Sequence, residues 1–121
     1  MPAKTRVAQI MARMEGFGKS GATPTIRHNP GDLRHGPHAQ HPGDPNAVAT
    51  YATDDIGWDD LENQLQKYAA RGLSVQQMVD LYAPPNENNT GSYLKFVCEA
   101  LDVKPGDPVS FALRIPAARN A

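Results

Sequence analysis

Apolar residues recur at helical spacing in several stretches of the chain and lose that spacing between them. Over residues 5 to 15, Val7, Ile10, Met11 and Met14 fall at i, i+3, i+4 and i+7, which makes one apolar stripe on a helix. Residues 55 to 71 carry Trp58, Leu61, Leu65 and Tyr68 at steps of 3, 4 and 3. Thr53 or Asp54 stands where an N-cap belongs, acids fill the first turn, Lys67 and Arg71 the last, and Gly72 follows. Ser74-Val75-Gln76-Gln77 has the form of a capping box, with Leu73 and Met78 at the positions of a hydrophobic staple. The helix it opens runs to Tyr82 and must end before Pro84-Pro85. From about Thr90 to Leu101, Tyr93, Phe96, Val97, Ala100 and Leu101 share one face, with Asn88, Asn89 or Thr90 as cap. The tail supports two readings. Asp107-Pro108 can cap a short helix, while Val109, Phe111, Leu113 and Ile115 alternate as a strand would.

Between the first two helices, from Gly16 to Tyr51, the pattern predicts mostly loop. Gly16, Gly18, Gly21 and Pro24 leave the first helix no propensity to continue. Loops this long are uncommon in compact domains and are often functional. Within it, Asn29-Pro30-Gly31-Asp32 has the type II arrangement, Pro presetting φ and Gly accepting a positive one, and would present the Asn29 amide in a fixed direction. Val48 to Tyr51 is the one piece that could pair as a strand, Val48 and Thr50 pointing one way, Ala49 and Tyr51 the other.

Composition narrows the function classes. The 121 residues make one domain, residues 1–121, large enough to bury a core, and the 11 prolines and 10 glycines call for much ordered loop. A net charge of −1 with mixed signs leaves no basic stripe for a phosphate backbone, so nucleic acid is not an expected partner. No apolar run approaches the roughly 20 residues of a membrane span, and no apolar h-region follows the first residues, so neither membrane insertion nor a secretory signal is expected. The single Cys98 falls on the apolar side of its helix and reads as a core residue. His28, His35, His38 and His41 invite a metal, but their spacing of 7, 3 and 3 fits no compact zinc pattern, so no metal and no cofactor is expected.

Two stretches carry candidate chemistry. Glu15 lies four residues beyond Met11, at the edge of the apolar stripe and at the negative end of its helix. Both circumstances favour a raised pKa, which is what a general acid needs. Tyr82-Ala83-Pro84-Pro85-Asn86-Glu87-Asn88-Asn89-Thr90 places amides beside an aromatic on a stiff backbone, a composition suited to sugars, whose hydroxyls lie at the edge and C–H groups on the face. Asn88 and Asn89 serve equally well as helix caps.

Taken in order, Glu15-Gly16-Phe17, Asn29-Pro30-Gly31-Asp32-Leu33-Arg34, Tyr51-Ala52-Thr53-Asp54-Asp55-Ile56-Gly57-Trp58, Tyr68-Ala69-Ala70-Arg71-Gly72-Leu73 and Ala83-Pro84-Pro85-Asn86-Glu87-Asn88-Asn89-Thr90-Gly91-Ser92-Tyr93 resemble the motifs of small lysozyme-like peptidoglycan-cleaving proteins of phages and bacteria. The resemblance spans roughly residues 7 to 103. It implies a mainly α fold (α+β, lysozyme-like), a helical domain with a minimal β-ribbon lining a glycan groove. It also implies cleavage of the β-1,4 bond between N-acetylmuramic acid and N-acetylglucosamine, with Glu15 as general acid. The family turn usually reads Asn-Asn-Pro-Gly-Asn, and this chain has His28 and Asp32 at the variable places.

A hydrolase of this kind uses a second carboxylate, about 5 to 5.5 Å from the first as nucleophile or about 6.5 to 9.5 Å away to activate water. Asp32, Asp54 and Asp55 are the candidates and Asp32 is the choice. A lytic transglycosylase needs only the one acid and releases 1,6-anhydromuramyl products. A glycan-binding or virion-structural module would need neither. Candidate substrate contacts are Asn29, Tyr51, Thr53, Tyr82, Asn86, Glu87, Asn88 and Tyr93. The expected partner is the peptidoglycan strand, met by a monomer that is secreted, periplasmic or phage-delivered.

Overall fold

The computed structural model describes residues 4–41, 48–82 and 90–116. Along them run α1 (Arg6–Glu15), α2 (Thr23–Ile26), α3 (Asp54–Ala70), α4 (Val75–Tyr82), α5 (Thr90–Leu101) and α6 (Val109–Ala112). The protein is mainly helical, and among the described residues no helix is long and apolar enough to cross a membrane. Helix α3 packs against α1 and α6, α5 against α1 and α4, and α4 against α6.

The caps of α3 and α4 form where the sequence puts them, Thr5 caps α1, and Asn88 and Asn89, offered as caps of α5, lie outside the described residues. Thr5 Oγ1 accepts the Ala8 N–H at 3.1 Å and opens α1, while the Glu62 carboxylate of α3 takes the Thr5 N–H at 2.7 Å and its hydroxyl at 3.0 Å. One residue therefore both starts α1 and ties it to α3. Thr53 caps α3, with Asp54 and Asp55 in the first turn where the helix dipole favours them. At Ser74 the capping box is reciprocal, Gln77 N donating to Ser74 Oγ at 3.1 Å and Ser74 N to Gln77 Oε1 at 2.9 Å. The next unmet N–H groups of α4 go to the tail, Val75 N to Asp107 O at 2.8 Å and Gln76 N to Pro105 O at 2.9 Å.

Val7, Ile10 and Met11 of α1, Leu61 and Leu65 of α3, Val75, Met78 and Val79 of α4, and Val97 and Leu101 of α5 are all buried in one core. On α5 the face differs from the expected one. Phe96 is 40% exposed and Ala100 is also in water, while Leu94 and Cys98 flank the buried line Tyr93–Val97–Leu101. Both choices are helical stripes that share this line, and packing against α1 and α4 selects the Leu94 side. The tail takes its helical alternative as α6, with Val109 and Ala112 buried and Phe111 exposed. Its N-cap is Pro108, which has no side-chain cap bond, because the Asp107 carboxylate instead accepts from Lys104 N.

Two expectations for the long loop need correction. Pro24 does not only break structure: it sits in the first turn of α2, where its missing N–H costs nothing. The β-ribbon reduces, among the described residues, to an isolated bridge between His41 and Thr50. Ala49 N and Tyr51 N, pointing the other way, bond to Leu33 O and Arg27 O. Residues 48–51 thus alternate as expected, Ala49 and Tyr51 inward and Val48 and Thr50 outward, but they stitch loop to loop.

Gly57 is what lets the loop lie on α3. A Cβ there would collide with the His28 carbonyl oxygen and come within 2.8 Å of Pro30 Cδ. Helix propensity alone has Gly57→Ala stabilise by about 1 kcal/mol. Steric exclusion reverses the sign, and the expected outcome is a net loss of about 1 to 3 kcal/mol in denaturant unfolding. Gly106→Ala, with open space around it, should stay within about 0.5 kcal/mol of wild type.

Candidate active site

Helix α1 ends at Glu15 because Gly16 takes the left-handed C-cap, φ 91°, and the Phe17 N–H closes back on Ala12 O at 3.0 Å. Behind this end the Phe17 ring meets Trp58 edge-on, with centroids 5.4 Å apart, and the Lys4 ammonium lies over Trp58, 4.6 Å from the ring centroid. The Glu15 carboxylate is half-buried and accepts the Tyr93 hydroxyl at 3.0 Å on Oε2. Its pKa is pushed up to about 7, first by burial and then by the negative charge of Asp32, while the Tyr93 hydrogen bond pulls it the other way.

Asp32 reaches the same cleft from the Asn29–Asp32 turn. The turn closes through Asp32 N to Asn29 O at 3.0 Å. It is not type II, because Gly31 lacks the positive φ and Asp32 takes it instead, at 52°. Glycine is required at 31 for space: a Cβ would lie 2.8 Å from both Leu61 Cδ1 and the Tyr82 hydroxyl. That hydroxyl donates to the Gly31 carbonyl, so α4 holds the turn from below. Burial raises the Asp32 pKa, and the Arg34 and Arg27 charges oppose the rise.

Glu15, Asp32, Arg34, Gln64, Tyr68 and Tyr82 line one cleft of about 640 Å³. The other expected contacts fall elsewhere. Asn29 is fully buried, its Nδ2 donating to Leu33 O at 2.8 Å and Ala49 O at 2.9 Å and its Oδ1 accepting from Leu33 N at 3.0 Å, so its amide holds the loop and has nothing left for a ligand. Tyr51 is 1% exposed, with its hydroxyl raised well above the usual phenol range by burial and by Asp60, and belongs to the wall. Thr53 spends its hydroxyl capping α3. Tyr82 is in the cleft with its hydroxyl committed to Gly31. Tyr93 is buried behind Glu15 and serves the acid. Asn86, Glu87 and Asn88 lie outside the described residues.

Asp54 and Asp60, two acids of α3, are engaged by the loop histidines, His28 Nδ1 to Asp54 Oδ1 at 2.7 Å and His38 Nδ1 to Asp60 Oδ1 at 2.6 Å. The pattern reading did not point to Arg34, Gln64 or Tyr68 as site residues. For Tyr68 the apolar stripe said core, and it is 8% exposed, but its hydroxyl end, hydrogen-bonded by Gln64 one turn earlier, reaches the cleft. A Gln four residues before a Tyr on the polar edge of a core helix is the signal that could have found the pair.

The Tyr93 bond stabilises the ionised form of Glu15, so Tyr93→Phe should raise the Glu15 pKa by about one pH unit, read from the carboxyl carbon shift in an NMR titration. Stability carries the same signature. Folded Glu15, with its pKa raised from 4.5 to about 7, holds a proton that the unfolded chain releases. That contribution is complete below the unfolded value and is lost as pH rises through the folded one. Glu15→Gln lacks this titration and should be more stable than wild type by about 1 to 3 kcal/mol at high pH, with the gap closing towards pH 4, in unfolding measured across that range. Comparison with protein-family models, curated proteins and solved structures gives no match, so the chemistry of this cleft is read from its own residues.

Proposed function

We propose that the protein is a peptidoglycan-cleaving glycosidase of the muramidase type, with Glu15 as general acid in a lysozyme-like fold. The observation that carries the reading is a half-buried carboxylate at a helix end, with its pKa up to about 7, sharing a cleft with a second acid whose pKa burial raises against the opposing charges of two arginines. Burial raises both carboxyls, but only Asp32 has cations beside it that oppose the rise, and two carboxyls in such unequal surroundings can divide into acid and base or nucleophile. Glu15 keeps its proton near neutral pH and donates it to the leaving glycosidic oxygen. Asp32 supplies the negative charge at the anomeric carbon, either by attacking it or by activating water. The Tyr93 hydroxyl fixes the Glu15 carboxyl and the Tyr82–Gly31 bond fixes the turn that carries Asp32. The order of motifs along the chain, from Glu15-Gly16-Phe17 to Tyr93, supports the same reading.

Asp32 is also what favours hydrolysis over transglycosylation, which needs Glu15 alone and lets the muramyl 6-hydroxyl attack. The decisive measurement is turbidity clearing of purified peptidoglycan. Glu15→Gln should slow it by about 10²-fold or more, and wild-type clearing should fall away as pH rises past about 7, where Glu15 loses its proton. Equal clearing by the Gln variant would remove Glu15 from the mechanism, and no clearing by wild type would favour a glycan-binding or virion-structural module. Mass spectrometry of the products should show reducing-end muramyl sugars. Anhydro sugars, together with undiminished clearing by Asp32→Asn, would make the protein a lytic transglycosylase.

A further inference from the structure

The cleft does not end at the acid pair. His35 and Gln64, which line it, also line a second hollow of about 370 Å³, walled by Gly36 and Pro37 of the loop and by Asp60, Asn63 and Lys67 of α3. Two shared residues make the hollows consecutive stretches of one groove. Positions 60, 63, 64 and 67 are i, i+3, i+4 and i+7, a polar stripe with the same geometry as an apolar core stripe. Such a stripe ordinarily faces open water, but here the loop is fastened beside it. The fully buried Asp60 side chain accepts His38 N at 3.0 Å and His38 Nδ1 at 2.6 Å. A Cβ at Gly36 would collide with Asp60 and the Tyr51 hydroxyl.

The two stretches differ in charge. The first contains the carboxyls of Glu15 and Asp32 together with the Arg34 guanidinium, so acidic groups and a cation meet there. In the second the only acid is Asp60, whose two oxygens are both taken by His38, so what remains for a ligand is the Lys67 ammonium, the His35 ring and the amides of Asn63 and Gln64. Lys67 forms no ion pair among the described residues. One cation with two amides suits a carboxylate attached to an amide-rich chain. Peptidoglycan offers one: the muramyl sugar bears, through its lactyl group, a short peptide with free carboxylates. In the first stretch those carboxylates meet the Asp32 charge as well as Arg34, while in the second the Lys67 ammonium attracts them.

We propose that the second stretch is a subsite for this stem peptide, held by Lys67 with Asn63 and Gln64, and that it makes the protein prefer peptide-bearing glycan to bare glycan. The proposal rests on the glycosidase reading, with which it shares a groove.

The test uses the full chain carrying Glu15→Gln, so that ligand is bound and not turned over. Calorimetric titration compares a soluble muramyl tetrasaccharide bearing its peptides with the same saccharide stripped of them. The peptide-bearing form should bind more tightly by roughly fivefold, the scale of one part-exposed ion pair, and less so in high salt. Lys67→Gln should collapse the ratio of the two affinities, Lys67→Glu should invert it, and Lys67→Arg should keep it. Equal affinities, or a ratio that Lys67→Gln leaves intact, overturns the subsite while the glycosidase reading stands. Failure of both saccharides to bind overturns both readings.

Discussion

A loop that crosses a helix without a sheet to carry it has to be held from inside, and here the holder is the side-chain amide of Asn29. Its three hydrogen bonds, to Leu33 twice and to Ala49, replace the ladder that a strand pair would supply. All of them are fully desolvated, so each is expensive to leave unmade, on the order of 1 to 3 kcal/mol. The absence of side chains at Gly31 and Gly57 lets the loop settle onto Leu61 and the α3 backbone, and the Tyr82 hydroxyl fixes it from α4. Only with the turn held this way does Asp32 reach the cleft that contains Glu15.

Glu15 shows the opposite balance. A carboxylate at the negative end of a helix, half-buried and within the field of another carboxylate, is unfavourable on three counts. A solvated residue at this place would stabilise the fold. Tyr93 offsets only part of the cost, and that is the useful outcome: a stronger donor set would restore an ordinary carboxylate that gives up its proton well below neutral pH. The environment holds the group where it can keep a proton and still release it, which is the condition the proposed acid role requires.

The helices were legible because their signals are local. Stripes, the Thr53 cap and the Ser74–Gln77 box depend on residues within a few positions of one another. The place of Glu15 at the end of α1 and the rise of its pKa were legible for the same reason, the residue being at the edge of a stripe just before Gly16. The roles of Asn29, Tyr51 and Tyr93 were not, since each is decided by a partner distant in sequence: Ala49, Asp60 and Glu15. A polar or aromatic side chain in a motif can meet a ligand or brace the residue that does, and its own neighbours in sequence do not choose. The turn shows the limit at finer grain. Asn-Pro-Gly-Asp reads as type II on propensity, yet contact with Leu61 and Tyr82 keeps Gly31 for its size and passes the positive φ to Asp32.

Helix α3 joins these threads because it serves two interiors at once. Its apolar line through Trp58, Leu61, Leu65 and Tyr68 closes the core, while Asp60, Asn63, Gln64 and Lys67 run along the neighbouring face at the same spacing. Between them Gln64 and Tyr68 touch, one from each stripe, and both line the cleft of the acids. A small protein with no sheet among its described residues has few rigid surfaces on which to build a groove. Using the far edge of its longest described helix gives the groove a floor that the core already holds in place. The loop then needs to supply only one wall, and two histidine–aspartate contacts, at Asp54 and Asp60, fasten that wall to the same helix. The acid on α1 and the floor on α3 are therefore positioned by the packing of α1 against α3, so the geometry of the site follows from the core, and the loop sets the distance across it.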